Sequence, residues 1–218
     1  MASVPDLTVL IDVDNTLLDN DAVIADLRQH LRERFGGECE RRYWQLFEEL
    51  RAELGYADYL GALQRYRIER PREPGVIEIG LFLLAYPFAS RVYPGALDAV
   101  ARLSARAPVV ILSDGDVVFQ PRKVEQSGLW AAVGGRVLIY VHKEKMLDDV
   151  EHRYPARRYV MVDDKLRILA AMKAAWRERL TTVFVRQGHY AHDPSQIAAY
   201  PAADATIERI ADLAGVNF

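Results

Sequence analysis

The sequence predicts an α/β protein: a parallel sheet of five strands with helices on both faces, and an all-helical insertion between the first strand and the second. Three observations carry this. From residue 93 onward, short β-branched apolar runs alternate with helical spacings. From about residue 18 to about residue 90 the spacing is helical and no convincing strand occurs. The apolar runs stop abruptly in polar, mostly acidic residues. Alternation of this kind implies parallel strands joined by right-handed crossovers. In such sheets the ligand crevice lies beyond the C-terminal strand ends, where the strand order reverses.

The first strand is residues 7–11, Leu-Thr-Val-Leu-Ile, followed at once by Asp12-Val13-Asp14-Asn15-Thr16. Residues 22–35 follow as a helix with Val23, Leu27 and Leu31 in register, ended by Gly36-Gly37. A second helix covers 43–54 on the stripe Trp44, Phe47 and Leu50 and stops at Gly55. A third covers 59–69 and is closed by the proline-rich linker 70–75; a fourth, the most apolar, covers 76–86. Tyr93-Pro94-Gly95 opens a helix to residue 106, and 108–112 is the second strand, ending in Ser113-Asp114-Gly115-Asp116. A helix at 119–126 leads to Gly128, and a third strand at 136–141 leads to His142-Lys143-Glu144-Lys145. After a helix at 147–153, the fourth strand, 159–162, ends in Asp163-Asp164-Lys165. A helix at 167–179, a fifth strand at 181–185 and a weak helix at 205–213 complete the chain.

Composition narrows the function classes. The chain has 218 residues, half of them hydrophobic, and a formal net charge of −3, which suits one sizeable domain or a domain with a large insertion. That balance supplies no electrostatic case for nucleic acid or an acidic membrane surface. The longest apolar stretch, 79–85, falls far short of the ~20 residues a bilayer requires. The N-terminal segment lacks the basic patch and apolar core of a signal peptide. One cysteine, Cys39, allows neither an intrachain disulfide nor a thiolate cluster, and no motif surrounds it. The expectation is a cytoplasmic protein, monomer or homodimer, acting on a small molecule rather than on nucleic acid or membrane.

The chemistry is written at the strand ends. Asp12 and Asp14 stand at i and i+2, so in an extended chain both carboxylates project to one side. Acids that close repel one another unless a cation lies between them. The pair reads as part of a hard-cation site, as a nucleophile with an acid/base, or as both. Helix capping by Asp14 or Asn15 is the plain alternative. Ser113, Lys143, and the pair Asp163-Asp164 end other strands on the same edge, and each has its own plain alternative: a cap, a solvated lysine or a turn. Together, four carboxylates, a hydroxyl and a lysine suit phosphoryl transfer around an oxygen-liganded ion such as Mg²⁺. An aspartate would attack phosphorus, and a second acid would protonate the leaving oxygen and later activate water. Ser113 and the backbone N–H groups after it, beginning with Asp114, would hold phosphate oxygens.

These residues resemble the haloacid dehalogenase-like superfamily. Asp12-Val13-Asp14-Asn15-Thr16-Leu17 matches its first motif, Asp-x-Asp-x-Thr after a strand; Ser113, Lys143 and Asp163-Asp164 are similar to its second, third and fourth, in order. The resemblance spans about residues 7–186. It implies a Rossmann-like core domain, 1–18 and 91–218, and a helical cap domain of the first type, 19–90. It implies Asp12 as nucleophile and metal ligand, Asp14 as general acid/base giving the metal its backbone carbonyl, and Thr16 as orienting that loop beside the phosphate. Ser113 would bind phosphate, Lys143 would neutralise both nucleophile and phosphate, and Asp164 would ligate Mg²⁺ with Asp163 in support. Lys145 is a rival for the third motif. Dehalogenating members lack the acid two residues after the nucleophile, so Asp14 points to a phosphatase acting on a small phosphorylated metabolite. A phosphomutase, or a non-catalytic protein that binds Mg²⁺ and phosphate, would use the same residues.

Weaker signals remain. The helical insertion is rich in arginine (Arg41, Arg42, Arg51, Arg65, Arg67, Arg70, Arg72), either solvated or facing substrate. His189 and His192 form a bare pair with no third ligand. Trp44, Phe47, Phe82 and Tyr86 read as the insertion's core or a dimer face rather than a cofactor site.

Overall fold

The first apolar run forms β1 (Leu7–Ile11), in the middle of an all-parallel sheet. It pairs with β2 (Val109–Asp114) on one side and β4 (Arg158–Asp163) on the other. β3 (Val137–Tyr140) lies outside β2, and β5 (Leu180–Val185) outside β4. The order is β3-β2-β1-β4-β5-β6, with β6 (Ala205–Ile207) on the edge. The chain reverses direction across the sheet between β3 and β4, so the switch point lies where the C-terminal ends of β1 and β4 meet. The computed structural model describes residues 4–73 and 75–218. Residues 1–3 of the N-terminal segment, and Pro74 of the 70–75 linker, lie outside the described residues.

Alternation along the central strands separates two cores. Val9, Ile11, Val109, Ile111, Val160 and Val162 face one way and join the core shared with the helical insertion. Leu10, Val110, Leu112 and Met161 face the other way. There they meet α7 (Leu147–Arg153) and α8 (Leu166–Trp176) through Val150, Leu169 and Met172. Covered on both faces, these strands read as continuous apolar runs, and that is why they were legible.

Between β1 and β2 the described chain is helical: α1 (Asn20–Leu54), α2 (Tyr59–Glu69) and α3 (Val76–Ala85), then a short 3₁₀ turn at Phe88–Arg91. The first two expected helices form one element bent at Gly36, whose φ of 86° and ψ of 162° break the helical path. Helix resumes immediately at Gly37, earlier than the expected 43, and Cys39 and Glu40 in that stretch are buried. The insertion docks through aromatic rings. Phe47 meets Tyr59 at 4.9 Å, and Tyr59 meets Phe119 at 5.1 Å on α5 (Phe119–Gln126) of the sheet-bearing part. Trp44, Phe47 and Tyr86 are buried, as the core reading requires, and Phe82 stacks on His30 at 4.1 Å. Among the described residues the remaining α-helices are α4 (Ala96–Ser104), α6 (Leu129–Ala132) and α9 (Pro194–Ala199).

The sheet has six strands, not five, and this corrects the C-terminal reading. Residues expected to open a helix at 205–213 form β6, and only Ile210–Gly215 coil, as a 3₁₀ turn. Three residues are too few to show a period. Asp204 decides their conformation: its Oδ2 accepts from the Thr182 amide (2.8 Å) and hydroxyl (2.9 Å), laying the chain along β5. Likewise the helix expected to reach 179 stops at Trp176, since Arg177 takes a positive φ of 50°. No helix among the described residues is long and apolar enough to cross a membrane.

Candidate active site

β1 delivers Asp12 to the switch point, where its amide donates to the Val162 carbonyl at 3.0 Å and its side chain is buried. Oδ1 accepts from Lys143 Nζ at 2.5 Å and from Ser113 Oγ at 3.4 Å. Oδ2 is buried without a partner among the described residues. Lys143, at the end of β3's connection, also lies 2.7 Å from Asp163 Oδ2 and 3.3 Å from the Leu112 carbonyl. Burial alone would lower the lysine's pKa, but Asp12, Asp163 and Asp114 outweigh it and hold the ammonium protonated well above the usual range. Lys145 is exposed and makes none of these contacts, so the geometry places Lys143 beside Asp12.

Capping falls on other residues than the catalytic candidates. Asn15, in the left-handed region at φ 60°, accepts the amides of Asn20 (3.0 Å) and Asp21 (3.1 Å) through Oδ1, and Asp19 caps α1 by accepting from Ala22. A Cβ on Gly188 would lie 2.4 Å from Asn15's side chain, so only glycine lets the 186–192 loop approach here. Asp116, not Ser113, caps the start of α5, accepting from Val118 and Phe119. Ser113 Oγ instead accepts from Gln120 Nε2 at 3.0 Å. Thr16 is fully buried, its hydroxyl unpartnered among the described residues, and its carbonyl accepts from Gln187.

Asp163 and Asp164 follow β4 into the same space. Asp163 Oδ1 accepts the Lys165 amide at 2.9 Å, so it is both a turn residue and a partner of Lys143. Asp164 is buried, with neither oxygen partnered among the described residues. Burial drives its pKa well above the usual carboxylate range and raises Asp163 as well. Asp114 is also raised by burial, and accepts the Lys143 amide at 2.7 Å. Burial would lower Lys165, but Asp164 and its acidic neighbours hold it above its usual value.

Ligand oxygens of Asp12, Asp163 and Asp164 lie within 4.8 Å of one another. Fully ionised, the three carboxylates would exceed the one lysine in contact by two negative charges, and the raised Asp163 and Asp164 reflect the cost of holding that surplus without a cation. Adding Asp114 and Lys165 leaves the same surplus. Unpaired buried carboxylates are strongly unfavourable, and a doubly charged, oxygen-preferring cation matches both the charge and the donor set. The Asp14 carboxylate is not in this group. Its Oδ1 accepts from Lys123 Nζ at 2.7 Å and its Oδ2 from Gln120 Nε2 at 3.4 Å.

Asp14 and Asp164 face a cavity of about 810 Å³ between the sheet edge and the insertion, while Asp12 and Asp163 are buried and are not among its lining residues. Asp14, Asp114 and Asp164 line one wall, and Arg51, Trp44 and Tyr190 line others. Of the insertion's seven singled-out arginines, Arg51 alone lines this space, 5.4 Å from the Tyr190 ring. Arg42, Arg65 and Arg70 are tied into surface ion pairs with Glu69, Glu53 and Glu38. His189 is engaged by Asp21 at 2.6 Å and belongs to no metal-capable cluster among the described residues. Cys39 is buried away from this cavity, its thiol pKa raised by burial, as fits a packing residue.

Sequence reading missed Lys123, Gln120 and Tyr190. A signal existed for Lys123: it stands four residues after Phe119, on the apolar face of α5, where a solvated lysine has no place.

A family model described as haloacid dehalogenase-like hydrolase matches residues 7–175. A solved structure from Burkholderia xenovorans LB400, described as a haloacid dehalogenase-like hydrolase, is 65% identical, with a TM-score of 0.95 over 98% of this chain and 100% of that one. The hydrolase YfnB of Bacillus subtilis, solved bound to magnesium, is 17% identical, with a TM-score of 0.64 over 96% and 97% of the two chains. L-2-haloacid dehalogenase from Xanthobacter autotrophicus is 18% identical, with a TM-score of 0.63 over 95% and 96%. Likeness at these lower identities is a likeness of fold. No curated protein matches the chain.

Proposed function

Since this chain belongs to the haloacid dehalogenase-like hydrolase family, we propose that it is a Mg²⁺-dependent phosphatase of small phosphorylated metabolites, with residues 19–90 acting as a cap over a core of 1–18 and 91–218. The observation that carries this reading is the pair of acids after β1. Asp12 is held by a lysine and a serine, and a second carboxylate, Asp14, lines the cavity two residues on. A halide leaves without a proton, whereas the alkoxide leaving a phosphate ester requires one. A dehalogenase would have no use for Asp14.

The residues assign the steps. Asp12 attacks phosphorus as the ester P–O bond breaks, and Asp14 gives its proton to the departing oxygen. The resulting aspartyl phosphate is hydrolysed when Asp14, now ionised, takes a proton from water; that water attacks phosphorus and Asp12 leaves. Lys143 offsets charge on Asp12 and the phosphoryl oxygens, with Ser113 and the backbone N–H of Asp114 as further donors. Asp12 and Asp164, with Asp163 beside them, would hold Mg²⁺; the ion would neutralise the phosphoryl group and the acids around it. Magnesium bound to the Bacillus subtilis relative is consistent with this assignment. A cavity of about 810 Å³ suits a metabolite rather than a polymer.

The test is a pair of assays on purified protein. Phosphate should be released from p-nitrophenyl phosphate with Mg²⁺ and not with EDTA, and no chloride from L-2-chloropropionate. Chloride release without phosphate release would overturn the reading in favour of a dehalogenase. A panel of phosphorylated metabolites then identifies the preferred substrate.

With that substrate, Arg51→Ala should raise KM about tenfold, the worth of one charge-assisted hydrogen bond, with kcat changed by less than about twofold. Arg51 is positioned to read the part of the substrate beyond the phosphate, its nearest carboxylate being Glu48 at 3.6 Å. An unchanged KM would remove it from the binding site.

A further inference from the structure

Lys123 is fully buried, with no exposure to solvent. Its ammonium donates to Asp14 Oδ1 at 2.7 Å and to Asn20 Oδ1 at 3.0 Å, and faces the rings of Phe119 and Tyr59 at 5.3 and 5.8 Å. Asn20 is oriented in turn, its Nδ2 donating to the Tyr59 hydroxyl at 3.2 Å. One turn earlier on α5, Gln120 Nε2 bridges Ser113 Oγ (3.0 Å) and Asp14 Oδ2 (3.4 Å). Both oxygens of Asp14 are therefore held by a single helix that also holds Ser113. Packing alone would be met by methionine or leucine here; an ammonium removed from water is unfavourable unless its charge is used.

We propose that Lys123 is the positioning residue for Asp14: it fixes the acid/base carboxylate at the cavity wall, and it ties that position to the seating of α1 and α2 through Asn20 and Tyr59. This rests on Asp14 acting as the acid/base. Lys123 does not touch the reacting atoms. It acts through Asp14, whose side chain keeps 22% of its surface open toward the cavity. Because Asn20 begins α1 and Tyr59 begins α2, displacing the insertion would release two of the groups that orient the ammonium. Seating of the helical insertion thus completes the contacts that orient the ammonium beside the proton donor.

The test uses substituted phenyl phosphates, from 4-nitrophenyl to phenyl, and compares kcat/KM for the wild type with D14N, K123M and D14N/K123M. A positioned proton donor matters more as the leaving group becomes more basic, so D14N should steepen the dependence on leaving-group pKa. K123M should steepen it too, losing about tenfold more with phenyl than with 4-nitrophenyl phosphate. Adding K123M to D14N should cost less than about twofold, since the two changes act through one group. A merely structural lysine would instead lower every ester by one common factor, and that result, or an unchanged slope, overturns the proposal. If K123M does not fold, K123R decides: a displaced donor should steepen the slope, and an unchanged slope overturns it. If D14N leaves the slope unchanged, the acid/base reading fails and this inference with it. A steeper slope in D14N but not in K123M sinks this inference alone.

Discussion

Asp12→Asn is expected to abolish phosphate release, lowering kcat by at least about a thousandfold, the scale of loss when a covalent nucleophile is removed. The amide cannot attack phosphorus, and it gives Lys143 only a neutral acceptor in place of the carboxylate now at 2.5 Å. The fold should survive. Lys143 keeps Asp163 at 2.7 Å, and the substitution removes one charge from a cluster with a surplus of two negatives. The melting temperature without metal should therefore stay within a few degrees of the wild type. Retention of more than about a tenth of the wild-type rate, with p-nitrophenyl phosphate as substrate, would take the nucleophile role away from Asp12.

Asp164→Asn separates what the site costs from what it does. Among the described residues its two oxygens have no hydrogen-bond partner and it is buried, so without metal it is an uncompensated carboxyl group. Replacing it should stabilise the protein in EDTA by roughly 1–3 kcal/mol, a rise of a few degrees in melting temperature. In the wild type, Mg²⁺ at a hundred times its dissociation constant should stabilise by about 2.7 kcal/mol. In the variant that shift should vanish. Activity should fall at least about a hundredfold, because even residues that only support a metal ligand are worth 10–100-fold. Should Mg²⁺ raise the variant's melting temperature as much as the wild type's, Asp164 is not a ligand. Destabilisation in EDTA would show that some group pairs with its carboxylate after all.

Much of the candidate site was legible because a parallel sheet sorts residues by strand end. Asp12, Ser113, Lys143 and Asp163 are separated by up to about 150 residues, yet each follows an apolar run or its short exit, and right-handed crossovers bring all such ends to one edge. The preference for Lys143 over Lys145 rested only on its standing nearer the strand end. Both follow β3 within a few residues, and only the 3₁₀ turn at Lys143–Lys145 points one inward and leaves the other exposed. The role of α5 escaped for a similar reason: Gln120 and Lys123 are ordinary polar residues of a short helix until Asp14 and Asn20, more than 100 positions away, are packed against them.

By itself, the sequence determined the α/β class, the all-helical stretch after β1, the buried parallel strands and the acids at their ends. Each of these depends on a local period or on order along the chain, which a single sequence records. The tertiary structure alone decided the sixth strand, which exists because Asp204 holds it against β5. It decided the joining of two expected helices at Gly36, and that of the seven arginines singled out in the insertion Arg51 reaches the cavity. It also decided the company Asp14 keeps. At Asp12-Val13-Asp14 the sequence shows two acids on one side of a chain. Packing sends one to Lys143 and the metal-capable cluster and the other to Lys123, because only in three dimensions are their counter-charges within reach.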